Sequence, residues 1–256
     1  MYHLLQPLTA ESLKDKFISR FEHLILSGQL TIGQKLPPER ELALQLGVSR
    51  PVVHEGLVDL AVKGLVTITP RRGATVNDYR RHGSLAMLTS LFRYHEGGLE
   101  PELLENALSI RMLFELESAR LAARNRTSEH LTALDTLIRI ESDLPAGAIE
   151  RWVTVDFDLH HLVAMASGNR LFPLLLNSFR PLYTNLSARF FADAAVYTDV
   201  VSSHRRLQQA IAAGNATRAE DVMRTLLRHG EKHLTHMLRR ESLRPQPPAQ
   251  RKESPS

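Results

Sequence analysis

Apolar side chains recur every three or four positions along most of the chain, and glycine interrupts this pattern several times within the first 65 residues. The spacing predicts a first helix that starts at Thr9, whose hydroxyl can cap it, and stops at Ser27-Gly28. A second short helix is predicted from Glu39 to Leu46, after a pair of prolines. A third begins at Ser49 and ends at Gly64.

Two β-prone runs follow the third helix. Residues 65–69 and 74–77 are rich in Val, Ile and Thr, and the turn between them contains Pro70 and Gly73. This arrangement is typical of a small hairpin. Three short helices followed by a hairpin predict a winged helix-turn-helix, whose third helix enters the major groove of DNA.

Beyond residue 80 the pattern is helical up to residue 242. The predicted helices cover about 84–95, 101–124, 128–142, 148–167, 171–191, 198–213 and 216–242. Short loops between helices with apolar faces predict a packed antiparallel bundle. We therefore expect a mainly α protein: a winged helix-turn-helix at 1–80, an all-helical effector-binding and dimerisation domain at 81–242, and a Pro-rich, disordered tail at 243–256.

Composition narrows the functional classes. The chain has 256 residues and no cysteine, which excludes a disulfide framework, a thiolate nucleophile and a zinc ribbon. A formal charge of +4 is compatible with a nucleic-acid partner without indicating one. No apolar run is long enough to span a membrane, and the first residues do not resemble a signal peptide. We expect a cytoplasmic protein that does not bind membranes.

Polar side chains at the ends of the predicted helices suit contact with DNA. Arg40 lies at the start of the second helix, and Ser49 and Arg50 lie at the start of the third. A helix N-terminus with a hydroxyl and a guanidinium suits phosphate and base edges. Arg71 and Arg72 lie at the tip of the hairpin, where they can reach a minor groove or phosphates. The alternative is that all of these are solvated surface side chains.

The run KLPPERELALQLGVSRPVVHEGLVDLAVKGLVTI resembles the DNA-binding domain of the GntR superfamily of bacterial transcription regulators, over about residues 9–78. The resemblance implies a homodimer that reads a palindromic DNA operator. It also implies DNA contact by Arg40, Ser49, Arg50 and the wing residues Arg71-Arg72-Gly73. His54 is a departure, since most members have Arg there, and a shorter, mostly neutral imidazole changes one contact.

The second half of the chain carries a separate set of polar residues. Asp156 and His160 are four residues apart on the apolar face of one predicted helix, and His204 lies on the apolar face of another. One carboxylate and two imidazoles suit a divalent ion such as Zn²⁺, Ni²⁺ or Mn²⁺. Buried Asp–His hydrogen bonds and satisfied core histidines are the alternative. A metal-dependent hydrolase or dioxygenase is a further alternative, although the chain lacks H-E-x-x-H, G-x-S-x-G and Gly-rich phosphate-loop motifs.

Residues 84–238 resemble the ligand-binding domain (FCD type) of the FadR-like branch of the superfamily, and three stretches of sequence carry this resemblance. They are ALSIRMLFELESARLAA, VDFDLHHLVAMASGNRLF and SSHRRLQQAIAAGNATRAEDVMRTLL. The resemblance implies metal ligation by Asp156, His160 and His204. The fourth ligand position of metal-binding members falls on Leu226, which cannot ligate. We expect His229 as the substitute; His233 on nearly the same helical face, water or an effector carboxylate are the alternatives.

Other strings resemble the fatty-acid regulators within that branch, which bind long-chain acyl-CoA. They are GSLAMLTSLFRYH, ELLENALSIR and ASGNRLFPLLLNSFRPLYTNLSARFF. This second resemblance implies an effector site that includes Arg111, Asn169 and Tyr183. The Gly-His-Glu-Ser stretch that holds CoA in those regulators is absent, and Leu226–His229 stand in its place. The expected effector is therefore either a small carboxylate, held through a metal, or an acyl-CoA. Arg111 has a local alternative, an ion pair with Glu115 or Glu117 on its own helix.

Overall fold

A computed structural model describes residues 12–94 and 101–242. The chain divides into two compact units between Pro101 and Glu102. Both are dominated by helices, and the strands of the described residues form one small two-stranded sheet in the first unit. The mainly α fold with a winged helix-turn-helix and a helical second unit is confirmed.

Within its described residues the first unit contains five helices and a hairpin, and the fourth helix, Tyr79–His82, was not predicted from the sequence. The elements are α1 (Leu13–Leu26), α2 (Glu39–Leu46), α3 (Arg50–Val62), β1 (Val66–Thr69), β2 (Gly73–Val76), α4 (Tyr79–His82) and α5 (Ala86–Tyr94). Ser12 caps α1 and accepts a hydrogen bond from the Asp15 amide. Thr9, the cap that the sequence predicted, lies outside the described residues.

The core of the first unit forms where α1 crosses α3. Phe17 and Phe21 stack with their ring centroids 4.4 Å apart, and both side chains are buried. Gly56 allows the close approach, because a Cβ at this position would lie 2.3 Å from Phe17 Cδ1. Val53 and Leu60 on the same face of α3 are fully buried. Helix α3, the recognition helix of the predicted winged helix-turn-helix, is therefore fixed to α1 by apolar packing.

The hairpin is an antiparallel pair in which Val66 faces Val76 and Thr69 faces Gly73. Its turn contains Arg71 with φ of +63° and Gly73 with φ of +88°. A residue other than glycine is uncommon in this left-handed region, so Arg71 holds a sharp turn at the tip. The hairpin is the wing of the winged helix-turn-helix.

The first unit extends beyond residue 80, where the sequence placed the domain boundary. Helix α5 packs on α1, and the buried carboxylate of Glu22 joins the two. Glu22 Oε1 accepts from Ser90 Oγ at 2.6 Å and from Lys63 Nζ at 2.5 Å. Because Lys63 caps the C-terminus of α3, this carboxylate ties α1, α3 and α5 together. Residues 81–94 therefore belong to the first unit by their packing.

The second unit is all helical. Its elements are α6 (Pro101–Asn125), α7 (Ser128–Ser142), α8 (Ile149–Ala166), α9 (Phe172–Ser178), α10 (Arg180–Phe190), a 3₁₀ turn (Ala194–Val196), α11 (Tyr197–Ala212) and α12 (Ala216–Ser242). The single helix predicted over 171–191 is two helices that meet at Phe179. Pro181 lies in the first turn of α10, and a proline without an N–H interrupts the helical hydrogen bonds there.

Short turns let neighbouring helices of the second unit pack side by side. Helix α7 packs on α8, and α11 packs on both α7 and α12. Their shared core is apolar and includes Leu134, Leu159, Val163, Leu207 and Met223, each at most 1% exposed. Across the described ranges, no helix combines the length and apolarity that a membrane span requires. The predicted tail at 243–256 lies outside the described residues.

Candidate functional site

The predicted DNA-reading residues occupy the starts of α2 and α3. Gly47 ends α2 with φ of +65°, and Ser49 occupies the N-cap position of α3, as the sequence predicted. The Ser49 side chain makes no capping hydrogen bond. Pro51, the second residue of α3, has no amide hydrogen, so one of the two usual donors to an N-cap side chain is absent. The hydroxyl of Ser49 therefore remains available to a phosphate oxygen.

Eight exposed cationic side chains of the first unit have no carboxylate partner within residues 12–94, and five of these eight lie around the starts of α2 and α3 and on the wing. They are Lys35, Arg40, Arg50, Arg71 and Arg72. Other cations of this unit are neutralised: Lys14 pairs with Asp59, Lys63 with Glu22, and Arg80 with Asp78. These five unpaired charges lie where phosphate contact was predicted, whereas the other three, Lys16, Arg20 and Arg81, lie on α1 and α4.

His54 is not free on the surface of α3. Its Nδ1 lies 2.9 Å from Oε1 of Glu39 at the start of α2. Its side chain is still 59% exposed, so the ring edge remains open to a partner. The imidazole connects the recognition helix to α2, and its other nitrogen is the atom that can face DNA.

Lys35 is a candidate phosphate contact that the sequence analysis missed. It forms an isolated β-bridge with Thr75, so it runs beside the second strand of the wing. A Cβ placed on Gly73 would lie 3.8 Å from Lys35 Cε, which brings the lysine stem to the wing tip. No local motif signals this position, because the bridge joins residues 40 positions apart.

Replacing Lys35 with Ala is expected to weaken binding to specific and unrelated DNA by similar factors. Loss of one phosphate contact should reduce the slope of log affinity against log salt by about 0.9. Fluorescence anisotropy at several salt concentrations measures both quantities. Lys232→Ala, which removes an exposed lysine of the second unit, is the matched control. An unchanged slope for Lys35→Ala would remove Lys35 from the interface.

In the second unit, the three predicted metal ligands come together. Asp156 and His160 on α8 and His204 on α11 are buried, and each offers one ligand atom within 4.8 Å of the other two. Asp156 Oδ1 lies 4.0 Å from His160 Nε2 and 3.7 Å from His204 Nε2. These separations exceed a hydrogen bond and leave room for an ion between the three atoms.

A second layer of buried carboxylates orients both imidazoles. His160 Nδ1 contacts Glu115 Oε2 on α6, and His204 Nδ1 lies 2.9 Å from both carboxylate oxygens of Glu141 on α7. Such a carboxylate holds the Nδ1 proton and turns Nε2 inward, which is the usual arrangement around a metal-binding histidine. Within the described part of the chain, the buried Nε2 of His204 has no hydrogen-bond partner. The donor set and this orphaned nitrogen fit a divalent cation.

Arg111 and Tyr183 border the cluster, as the sequence predicted for the effector site. The Tyr183 hydroxyl donates to Asp156 Oδ2, and the Arg111 guanidinium stacks 4.4 Å from the centre of the Tyr183 ring. Arg111 Nε also donates to Glu115 Oε1 at 2.5 Å. The local pairing of Arg111 with Glu115 is therefore present, and it is part of the larger cluster.

Burial and neighbouring charges set the protonation of the second layer. Burial alone would raise the pKa of Glu115, but Arg111 and His160 outweigh it and hold that pKa at about 2. Burial alone would lower the pKa of His204, and the Glu141 carboxylate reverses this and raises it. Glu115 is consequently ionised at neutral pH, and the Glu141 carboxylate favours the protonated form of the His204 ring.

Two further residues that the sequence analysis assigned to the site, His229 and Asn169, make contacts outside the cluster of Asp156, His160 and His204. His229 does not join the cluster of Asp156, and its ring meets Phe190 edge-on at 5.9 Å. One helical turn of α12 separates His229 from the buried Leu226, which packs in the apolar core. Asn169 shapes the turn after α8, where its Oδ1 accepts from the Leu171 amide at 2.9 Å. This hydrogen bond uses one lone pair of the Asn169 amide, and contact of this residue with an effector stays a prediction.

Sequence reasoning missed the role of Glu141. It lies 63 positions from His204, so no spacing rule joins them. A signal was present nonetheless, because Leu134, Ile138 and Glu141 share one face of α7 and all three are buried. An acid on an apolar stripe requires a buried partner.

Comparisons with known proteins agree with this architecture. The profile described as bacterial regulatory proteins, gntR family, matches residues 13–76, and the FadR C-terminal domain matches residues 77–242. The HTH-type transcriptional regulator Mce2R of Mycobacterium tuberculosis (strain CDC 1551 / Oshkosh) is 31% identical over 87% of this chain and 92% of its own. A fatty acid metabolism regulator protein of Shewanella pealeana is 32% identical over 84% of this chain and 86% of its own.

Among solved structures, one described as Lar, which controls expression of the Listeria monocytogenes agr system, aligns with a TM-score of 0.56. It covers 90% of this chain and 99% of that chain at 14% identity, which shows a shared fold. Members of the matched family are regulators that bind DNA operators and small-molecule effectors. The chain therefore belongs to the GntR family of bacterial regulatory proteins with a FadR C-terminal domain, and it is a transcription regulator and not an enzyme.

Proposed function

We propose that this regulator senses a small carboxylate through a divalent cation held by Asp156, His160 and His204. The observation that carries the proposal is the convergence of three buried ligand atoms, two of them on imidazoles oriented by Glu115 and Glu141. Three protein ligands leave coordination positions for an exogenous oxygen, as in metal sites that bind small molecules. Zn²⁺, Ni²⁺ and Mn²⁺ suit this donor set.

The charges of the buried cluster support the binding of a cation. The hydrogen-bonded cluster contains three carboxylates, those of Glu115, Glu141 and Asp156, and one guanidinium, that of Arg111. When both imidazoles act as metal ligands they are neutral, and the cluster then has two buried negative charges that need compensation. A divalent cation offsets both charges. The same cation is needed before an anionic effector can enter, since the cluster alone would repel it.

The winged units bind the DNA operator, and this binding is what the effector regulates. The regulator acts in the cytoplasm, where the bacterial chromosome lies. Two copies of the chain place their α3 helices in two half-sites of the operator, about one DNA turn apart. An effector changes DNA affinity only to the extent that it prefers one arrangement of the two units. Sedimentation analysis of the purified protein with and without operator DNA tests the homodimer, and a monomer on DNA would contradict it.

Long-chain acyl-CoA is the second candidate effector. It is favoured by the 32% identity to a relative named fatty acid metabolism regulator and by apolar side chains next to Arg111 and Tyr183. Anisotropy on the protein's own upstream DNA, titrated with acyl-CoA, separates the two candidates. Release at micromolar acyl-CoA would assign Asp156, His160 and His204 structural roles. Binding without release, together with a divalent metal in the same sample, supports the carboxylate sensor.

Arg50→Ala is expected to weaken operator binding by about 1–3 kcal/mol, because Arg50 begins the recognition helix and has no carboxylate partner within residues 12–94. The loss should be smaller on unrelated DNA if Arg50 reads a base. Arg218→Ala, an exposed arginine at the start of α12, is the control. Equal affinity of Arg50→Ala and the parent protein for the operator would exclude this role.

A further inference from the structure

His54 and Glu39 form a pair between α3 and α2, in the first unit and apart from the metal-ligand cluster. His54 lies four residues after Arg50, so the two side chains share one face of α3. Both are exposed, whereas Val53 and Leu60, on the side of α3 that faces the core, are buried. In a helix-turn-helix the N-terminal residues of the second helix contact base edges, which places the His54 ring on the DNA-binding face.

The Glu39 carboxylate fixes the orientation and the tautomer of this ring. Its Oε1 lies 2.9 Å from His54 Nδ1. An ionised carboxylate can only accept a hydrogen bond, so Nδ1 carries a proton. In a neutral imidazole with its proton on Nδ1, Nε2 has a lone pair and acts as an acceptor. Within the described residues the ring makes no other hydrogen bond, and 59% of the side chain is exposed.

A hydrogen-bond acceptor in the major groove distinguishes between bases. Cytosine presents its N4 amino group there and adenine presents its N6 amino group, and either can donate to Nε2. Guanine presents the acceptors N7 and O6, and thymine presents O4 and a methyl group, so neither can donate to Nε2. An arginine side chain has the opposite preference, because it only donates.

We propose that His54 is a specificity-determining residue for the operator, whose Nε2 accepts a hydrogen bond from the amino group of a cytosine or an adenine in each half-site. Glu39 is the positioning residue, because its carboxylate keeps the proton on Nδ1 and leaves Nε2 as an acceptor. Arg50, one turn earlier on the same face, seeks the opposite group on DNA, an acceptor. The contact requires neither metal nor effector, so it is independent of the carboxylate sensor.

Selection of binding sites from a random DNA pool by the full-length protein tests the contact, at about pH 8, where a free imidazole is uncharged. Sequencing of the bound DNA should show cytosine or adenine favoured about 3–10-fold at one position of each half-site, the effect of one hydrogen bond. His54→Ala should lose this preference and keep the preferences at all other positions. His54→Arg should change it to guanine, because arginine donates to N7 and O6.

Glu39→Gln tests the positioning role. A glutamine amide can donate to Nδ1 as well as accept from it, so the proton can move to Nε2 and the preference should fall to about twofold or less. Glu41→Gln, which removes an exposed carboxylate from the same turn of α2, is the matched control and should keep the wild-type preference.

The ring itself gives an independent readout. In a long-range ¹H–¹⁵N NMR spectrum, the His54 signals are those that disappear in His54→Ala. They should show a proton on Nδ1 and none on Nε2 in the parent protein, and a mixture of the two tautomers in Glu39→Gln. A parent protein whose neutral His54 ring carries its proton on Nε2 would overturn the proposal.

Three results of the site selection would also overturn it. A preference for guanine or thymine at the position that His54→Ala relaxes would mean that Nε2 donates. Weaker binding by His54→Ala with all base preferences unchanged would make His54 a phosphate contact. Unchanged affinity and preferences in His54→Ala would exclude any contact of this ring with the operator. An unchanged preference in Glu39→Gln would remove the positioning role of Glu39.

Discussion

His160→Ala is expected to lower the affinity for Zn²⁺ by about 100-fold or more and to abolish the thermal stabilisation that the ion gives. The imidazole supplies one of the three buried ligand atoms, and its removal also leaves the Glu115 carboxylate without its partner on α8. At a metal concentration of 100 times Kd, bound metal stabilises the wild-type fold by about 2.7 kcal/mol. For a unit of this size, that is a rise in Tm of roughly 5–10 °C.

The neighbouring histidine provides a matched control for this variant. His161 follows His160 on α8, but it is outside the ligand cluster and its ring packs by Phe157. His161→Ala should therefore retain Zn²⁺ binding and the metal-dependent rise in Tm, measured by scanning calorimetry with and without EDTA. Operator binding by both metal-free variants checks that the winged unit is folded. Retention of Zn²⁺ by His160→Ala, or its loss in His161→Ala, would contradict the site.

Glu141→Ala is expected to destabilise the second unit by about 3–5 kcal/mol. Glu141 is fully buried, and both of its carboxylate oxygens contact Nδ1 of the fully buried His204. Removing the carboxylate leaves the Nδ1 atom of His204 without its buried hydrogen-bond partner. The remaining imidazole also loses the partner that turns its Nε2 toward Asp156, so metal affinity should fall by about 10–100-fold.

Urea unfolding followed by circular dichroism measures the stability change. Asp135→Ala, which removes an exposed carboxylate of the same helix, is the control and should change stability by less than about 0.5 kcal/mol. If Glu141→Ala unfolds at the same urea concentration as Asp135→Ala, the pair with His204 contributes little. If stability falls but Zn²⁺ affinity does not, Glu141 supports the fold without orienting a ligand.

Local sequence determined much of the DNA-binding unit. The Pro-Pro start of α2, the glycine after it and the Ser-Arg start of α3 each act within a few residues, so helix ends were predicted closely. The wing followed from two β-prone runs around a tight turn. The position of α5 did not follow, because its attachment depends on the contact of Ser90 with Glu22, 68 residues earlier.

In the helical unit, too, some features followed from local sequence and others did not. Sequence alone placed Asp156 and His160 on one helix face and His204 on another, because helical periodicity fixes which side chains share a face. Only the tertiary structure decided that the three atoms converge, that Glu115 and Glu141 contact the imidazoles, and that His229 does not join them. The physical reason is the distance along the chain over which each interaction acts. Caps and helical periodicity act over a few residues, whereas a buried polar cluster is assembled by the packing of helices that are distant in sequence.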